Sequence, residues 1–368
     1  MKWDRAIIQH GPEVGAFVAG FLGRPDRRCV LICGAGFDPR TLALPQLLVN
    51  GPGPKVPALC LREERPKPQP SLRPIANGHE AELRRMFASC TVSSVRIFDD
   101  GGSVVGGRRV VQEIEAFLSS AQRTGPLTDV IVDISALSCG IFFPIIAYLL
   151  SRIDREKLPW NLHLFVTENP QIDIKIRGEL TDAVSHIHGF QSPGSLSQTI
   201  DHAMLWAPVL AEDNEAQMRR IHSLINQPAA TVDISPIVPF PGIDPRRPDT
   251  LVEEYRDLIG EWEVDPRHFL YAGESDPLDS YRSICEVDQL REETYGQLGG
   301  SSTIVSPLGS KMLSVGLMLA AIERRLRVLY VECLGYEELA VPSAKTSLIK
   351  EMPITHIWIH GDIYRGWP

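Results

Sequence analysis

The chain has 368 residues, enough for one large domain or for two of the usual ~150 residues, and its 43% hydrophobic and 23% charged residues exclude a mostly disordered or fibrous polymer. Lys and Arg number 37 against 46 Asp and Glu, a net charge of -9 that opposes coating a nucleic-acid duplex or a membrane surface. The longest apolar run, Cys139 to Leu150, falls short of the ~20 residues a bilayer demands, and residues 1–23 hold no uninterrupted apolar core of an export signal, so a cytoplasmic protein is expected.

Cys29 to Cys33, bounded by Arg27-Arg28 and Gly34-Ala35-Gly36, has the length and apolarity of a buried strand. Leucines at 42, 44, 47 and 48 predict a short helix over Thr41 to Val49 despite Pro45, and Pro57 to Leu61 is the next strand. Four prolines between Arg62 and Pro74 predict an exposed loop. Helix Glu80 to Cys90, strand Val92 to Phe98, helix Arg108 to Ala121, strand Asp129 to Ile134, helix Ile141 to Arg152 and strand Asn161 to Thr167 follow in alternation. Asp182 to Thr199, rich in Ser, Gly and His, reads as a linker.

A second alternation places strands at Ala203 to Leu210, Val232 to Phe240, His268 to Ala272, Thr303 to Ser306, Arg327 to Cys333 and Thr355 to His360. Helices between them fall at Glu215 to Ile225, Thr250 to Ile259, Leu278 to Leu298 and Ser310 to Arg325. The fold class this predicts is α/β: two tandem Rossmann-like domains with mainly parallel sheets, one over 1–190 including the Pro-rich loop 62–74, the other over 200–368.

Two segments recur in the same order in both halves. Gly36-Phe37-Asp38-Pro39-Arg40 is echoed by Gly242-Ile243-Asp244-Pro245-Arg246, and Ile134-Ser135-Ala136-Leu137-Ser138 aligns with Val305-Ser306-Pro307-Leu308-Gly309, each after a predicted strand and before a helix. If the repeat is real, the chain is an internal pseudo-two-fold dimer whose recurring turns lie at the carboxyl ends of the strands, where helix amino termini aim N–H groups at anions. Gly34 and Gly36 then let backbone approach a ligand; Asp38 and Asp244 accept from a hydroxyl; Arg40 and Arg246 pair with phosphate or carboxylate. Ser135, Ser138, Ser306, Gly309, Ser310 and Lys311 add hydroxyls, amides and an ammonium suited to phosphate. The plainer reading of Asp38 is a helix cap with Pro39 as the first helical residue, and of the serines ordinary capping.

Weaker constellations are His356, His360 and Asp362, whose bland reading is surface or interface histidines; His186 and His188, expected to be solvated; Glu168 and Glu332, expected at solvated strand ends; and the glycine pairs 101–102 and 106–107 before Arg108-Arg109, an anion cradle or a mobile turn. Seven scattered cysteines without a C-x-x-C pair match neither a disulfide framework nor a zinc knuckle, and no metal site is expected. No G-x-S-x-G, H-E-x-x-H or G-x-x-x-x-G-K-[ST] motif occurs, and no catalytic residue is assigned.

Asp133-Ile134-Ser135-Ala136-Leu137-Ser138 and Ser306-Pro307-Leu308-Gly309-Ser310-Lys311, each running into an apolar helix, resemble the ligand turn of CRISPR-associated Rossmann-fold (CARF) sensor domains, though without that family's Thr or His. The resemblance implies a nucleotide-type ligand, in its sharpest form a cyclic oligonucleotide sensed in a bacterial signalling or defence pathway, with a protein effector as partner. Gly34-Ala35-Gly36-Phe37-Asp38-Pro39-Arg40 is similar to the glycine loop of leucine carboxyl methyltransferase-like enzymes, with Pro39 in place of a threonine. That resemblance implies S-adenosylmethionine as cofactor, Arg40 facing its carboxylate, and Glu63 or Glu64 as the acid of the next strand end. A third reading is a non-catalytic scaffold subunit in which the turns merely pack.

Overall fold

The computed structural model describes residues 1–50, 56–173, 176–191, 203–226, 232–338 and 352–364. Residues 6–179 with 333–368 pack as a first unit, and residues 1–5 with 180–332 as a second. The first runs β1 (Ile7–His10), α1 (Pro12–Phe17), β2 (Cys29–Gly34), α2 (Ala43–Asn50), β3 (Ala58–Glu64), α3 (Leu72–Met86), β4 (Cys90–Arg96), α4 (Gly106–Arg123), β5 (Asp129–Asp133), α5 (Cys139–Glu156), β6 (Asn161–Thr167) and α6 (Pro170–Asp173). Then come β7 (Ile176–His186), β8 (Ala203–Pro208), α7 (Glu215–Ile225), β9 (Val232–Ile234), β10 (Ile237–Pro239), α8 (Arg247–Glu254), α9 (Arg256–Glu261), β11 (Leu270–Ala272), α10 (Pro277–Tyr295), β12 (Ser301–Ser306), α11 (Lys311–Arg324), β13 (Arg327–Glu338) and β14 (Ile354–His360).

The first unit is built on a seven-stranded sheet ordered β1-β14-β6-β5-β2-β3-β4. β6, β5, β2, β3 and β4 are mutually parallel, while β14 is antiparallel to both β6 and β1. Helices cover the parallel strands, so β2, β5 and β6 are buried along their whole length; β2 reads as a continuous apolar run, while β5 and β6 also bury Asp129, Asp133, Asn161, His163 and Thr167. Each fully buried aliphatic side chain among them contributes about 1.5–3 kcal/mol. α3 starts at Leu72, well before the predicted Glu80, because Pro74 falls in the first helical turn, where N–H groups have no intrahelical partner to lose.

In the second unit β7-β13-β12-β8-β9 form a five-stranded sheet, with β13, β12, β8 and β9 parallel. The Ile187 N–H donates to the Val328 carbonyl, while Gly178 lies against Cys333, so β7 runs antiparallel to β13. β10 and β11 form a separate parallel pair, and a parallel bridge from Ile237 to Val209, just past β8, places that pair as an outward continuation. With β9 and β10 counted as one interrupted strand on β8, each unit orders its parallel strands 3-2-1-4-5 in its own chain sequence and adds an antiparallel strand beyond the fifth. α5 and α11, the helices after the fourth strands, both end on a left-handed residue, Lys157 and Arg325, at φ 53 and 57.

The architecture is thus α/β with two mixed sheets. Three expectations change. The terminal strand, expected in the second half, inserts as β14 between β1 and β6, where it completes the first sheet. The unit boundaries accordingly differ from 1–190 and 200–368, because sheet pairing and not chain order gathers residues 333–368 into the first unit. The first part of the expected linker is strand, ending β7 at His186, and its residues 192–199 lie outside the described residues.

Candidate functional site

In the first unit the strand order reverses between β2 and β5, and the turns that leave their carboxyl ends meet there. A Cβ on Gly34 would lie 3.1 Å from both Cβ and carbonyl oxygen of Ala136, so the glycine is what lets these turns touch. The structure thereby brings Gly34, Gly36, Asp38 and Arg40 together with Ser135 and Ser138. Gly36 has nothing within 4 Å on its Cβ side, and its carbonyl accepts from Nδ1 of buried His79, on α3, at 2.9 Å.

Asp38 is the cap that the plainer reading gives: its Oδ1 accepts from the Arg40 N–H at 2.9 Å, with Pro39 opening a short helical turn. The same carboxylate holds the Arg40 guanidinium through Nε at 3.0 and 3.1 Å and Nη2 at 2.7 Å, and Nη1 reaches Asp173 of α6 at 2.8 Å. The Arg40 side chain is 5% exposed. Burial opposes its charge, but Asp38 and then Asp173 outweigh that and hold its pKa above the ordinary arginine range. Arg40 is engaged inside the protein.

The serines are engaged as well. Asp133, ending β5, accepts from the Ser135 N–H at 2.9 Å and from its hydroxyl, whose oxygen accepts from the Thr167 N–H at 2.9 Å and ties β5 to β6. Ser138 holds the N-cap position of α5 without a side-chain bond to the helix, and both its N–H and its hydroxyl donate to Glu63, at 2.8 and 2.9 Å. Glu63 also receives Arg65 Nη2 at 2.7 Å, and the Arg65 guanidinium lies 4.9 Å from the ring centre of Tyr336, itself packed on Phe37. A carboxylate of the protein thus occupies the anion position at the α5 amino terminus. Asp38, Glu63, Asp133 and Asp173 against Arg40 and Arg65 give these six side chains a formal charge of −2.

In the second unit the turns after β8 and β12 meet in the corresponding way. A Cβ on Gly309 would fall 2.4 Å from Cγ1 of Val209, and the Asn214 amide donates to the Leu308 carbonyl. Buried Ser306 accepts from the Trp206 indole at 3.0 Å, Ser310 caps α11 through the Leu313 N–H, and half-buried Lys311 is the first residue of that helix. Segments 134–138 and 305–309 therefore occupy equivalent places in the two units. Segments 36–40 and 242–246 do not: one follows the first parallel strand, the other the second, β10. Asp244 accepts from the Arg246 N–H at 2.9 Å on an exposed turn, while neighbouring Arg247 binds Glu212 and Glu274.

A third Asp-Pro-Arg run explains the echo. Asp265 caps a turn through the Arg267 N–H at 2.9 Å and grips the guanidinium through Nε at 3.0 Å and Nη2 at 2.6 Å, as Asp38 does Arg40. The tripeptide encodes a local turn wherever it occurs.

His356 is not a surface histidine. It is fully buried, its Nε2 3.0 Å from His163 Nδ1 and its Nδ1 2.8 Å from the Gln9 side chain, and the His163 ring meets Asp129 at 3.1 Å. Among the described residues no group of three His, Cys, Asp or Glu is placed to hold a metal. Glu332 is buried rather than solvated, and the turn at Gly101-Gly102 is filled by Asp99, which accepts from the Gly101 and Ser103 N–H groups. Of the residues now seen at the first edge, sequence reasoning missed Arg65, His79, Asp173 and Tyr336. Glu63 was reached only as one of two acids at a strand end.

No protein-family model matches the chain, and no curated protein matches it. A functionally unknown protein from Pseudomonas aeruginosa PAO1 is similar over 89% of this chain and 96% of its own, at 14% identity and a TM-score of 0.22, a likeness that carries no argument about fold or site. No helix among the described residues is long and apolar enough to cross a membrane.

Proposed function

We propose that the chain is a binding protein for a nucleotide-type small molecule, built from two Rossmann-like units, and that the ligand's nucleoside portion docks at the carboxyl edge between β2 and β5. The observation that carries this reading is the switch point itself: strand order reverses there, the two turns touch through Gly34, and Gly36 faces open space. The formal charge of −2 at that edge and the engagement of Arg40 shift the expected contacts from phosphate toward ligand hydroxyls and amino groups, with Glu63 as acceptor. Sensing of a cyclic oligonucleotide is the form that the CARF-like turn suggests, with the phosphates then held elsewhere than on Arg40.

Glu63 also favours a second reading. It is an acid at the end of the strand after the glycine loop, bent over the α5 amino terminus, where the methyltransferase resemblance expects one. S-adenosylmethionine, with its sulfonium charge and ribose, suits an acidic edge. Thermal-shift titration of the full chain with cyclic oligonucleotides, mononucleotides and S-adenosylmethionine tests both readings, because a ligand at 100 times its Kd adds about 2.7 kcal/mol of stability. Stabilisation by S-adenosylmethionine alone removes the sensor, stabilisation by cyclic nucleotides alone removes the methyltransferase, and the Glu63→Gln variant is expected to weaken whichever ligand binds. A response to none of them overturns the proposal and leaves the scaffold.

A further inference from the structure

We propose that Arg327, His186 and Ser302 form a recessed oxyanion site at the amino edge of the second unit's five-stranded sheet, at the end opposite its ligand-type turns. Arg327 opens β13 and is 5% exposed, yet its Nη1 is buried without a hydrogen-bond partner, and no carboxylate pairs with it among the described residues. Nothing offsets the effect of burial, which depresses its pKa. A buried guanidinium without a counter-charge is costly, and buried charges are ordinarily paired.

The neighbouring strands bring further unused groups to the same face. Ile304 of β12 stands opposite Arg327, so Ser302, two residues earlier, points the same way one step nearer the edge; its hydroxyl is buried and unpartnered. On the other side of β13, the Ile187 and Val328 N–H groups donate to the carbonyls of Val328 and Phe190, at 3.1 and 3.3 Å. Leu180 and Val184 of β7 pack on the same apolar cluster as Ile304 and Leu329, and strand alternation puts His186 on the face of Leu180 and Val184, and Arg327 on that of Leu329. His186 Nδ1 is also buried and unpartnered, and burial followed by the Arg327 charge pushes the ring's pKa down. Asp182, four residues up β7, is fully exposed and held by Arg220 of α7 at 2.9 Å.

Guanidinium and hydroxyl are donors, and the imidazole is a donor at Nδ1 once protonated there. Three donors from three consecutive strands around one uncompensated positive charge complement a compact oxyanion, as a phosphate group or sulfate presents. A trapped water satisfies the hydroxyl and the ring but not the charge. Arg327, His186 and Ser302 are independent of the first unit's carboxyl edge, so the site stands whether or not a nucleotide binds there.

The test is titration of the full chain with inorganic sulfate at constant ionic strength, chloride serving as the control. A saturable rise in Tm with sulfate is expected, abolished by Arg327→Gln and weakened several-fold by Ser302→Ala. An anion raises the His186 pKa, so binding takes up a proton and tightens from about pH 8 to about pH 6, over which sulfate keeps its charge. His186→Gln is expected to remove that pH dependence while keeping binding. Sulfate no more stabilising than chloride, or binding unchanged in Arg327→Gln, overturns the proposal; if Arg327→Gln does not fold, an unaltered Ser302→Ala together with a pH-independent wild type does so.

Discussion

Acidification should loosen β14 before it unfolds the rest of the first unit. His163 and His356 are both fully buried in the layer between Phe17, Phe165 and Trp358, and burial lowers both pKa values, His356 the further, with Asp129 partly opposing the shift at His163. Asp129, as a carboxylate, accepts only, from Asn161 at 2.9 Å and from the Thr128 hydroxyl. His163 Nε2–H therefore donates to it, His356 Nε2–H donates to His163 Nδ1, and His356 Nδ1 accepts from the Gln9 amide, whose two ends interchange by rotation. Two neutral rings satisfy the chain, and a third proton has no place in it. The unfolded state binds protons below the ordinary histidine pKa of ~6.5 and the folded state does not, so stability is present above that pH and lost as pH falls through it. Each ring then costs about 1.4 kcal/mol between about pH 7.5 and 5.5, a ceiling of about 2.7 kcal/mol for the pair. Hydrogen exchange of the Ile357 and Ile359 amides, corrected for intrinsic rates, reads this locally; His186 and His222, also depressed by burial, belong to the second unit. The His163→Gln/His356→Gln double variant should lack the pH slope. Flat protection in the wild type, or an equal slope in the variant, would refute the reasoning.

Arg40→Ala should cost about 2 kcal/mol of stability in urea unfolding, because it removes a buried side chain and leaves the half-buried Asp38 carboxylate without its partner, and Arg40→Lys should recover only part of that, lacking the planar fork. Gly316→Ala should lower Tm sharply, since its Cβ would fall 2.0 Å from Ser280 Oγ and 2.1 Å from the Pro277 carbonyl, where α10 and α11 touch, whereas Gly36→Ala, with open space around it, should stay within about 0.5 kcal/mol. Glu63→Ala leaves the Ser138 N–H and hydroxyl without their acceptor just before α5 and should cost about 1–2 kcal/mol by the same denaturation assay, with increased exchange confined to the start of that helix.

The parallel strands were legible because they are covered on both faces: Cys29 to Cys33 is apolar throughout, and Val130 to Val132 and Leu164 to Val166 give β5 and β6 short apolar centres between polar ends. β1 escaped notice because Ile7–His10 is four half-exposed residues with little pattern of its own, formed by pairing with a strand more than 340 residues away. The destination of β14 was illegible for the same reason. Its sequence says strand, but whether it joins the nearer or the farther sheet depends on which edge is open, and His356 hides its answer by bonding to Gln9 and His163 rather than showing a polar surface face.

The three Asp-Pro-Arg turns separate what short sequence encodes from what context adds. In all three the carboxylate accepts from the arginine N–H at 2.9 Å, so the turn itself was readable at Asp38 as a cap. Only at Arg40 is the guanidinium buried, by Asp173 arriving from 133 residues downstream; Arg267 makes the same grip on Asp265 with 87% of its side chain in solvent. An arginine in this turn is thus a ligand contact, a buried ion pair or a solvated charge according to what the fold brings opposite it. The repeat that does mark the architecture is the less conspicuous one, 134–138 with 305–309, because its residues sit at a point fixed by strand order: a small residue is required where two turns touch, and Gly34 against Ala136 and Gly309 against Val209 meet that requirement from opposite partners.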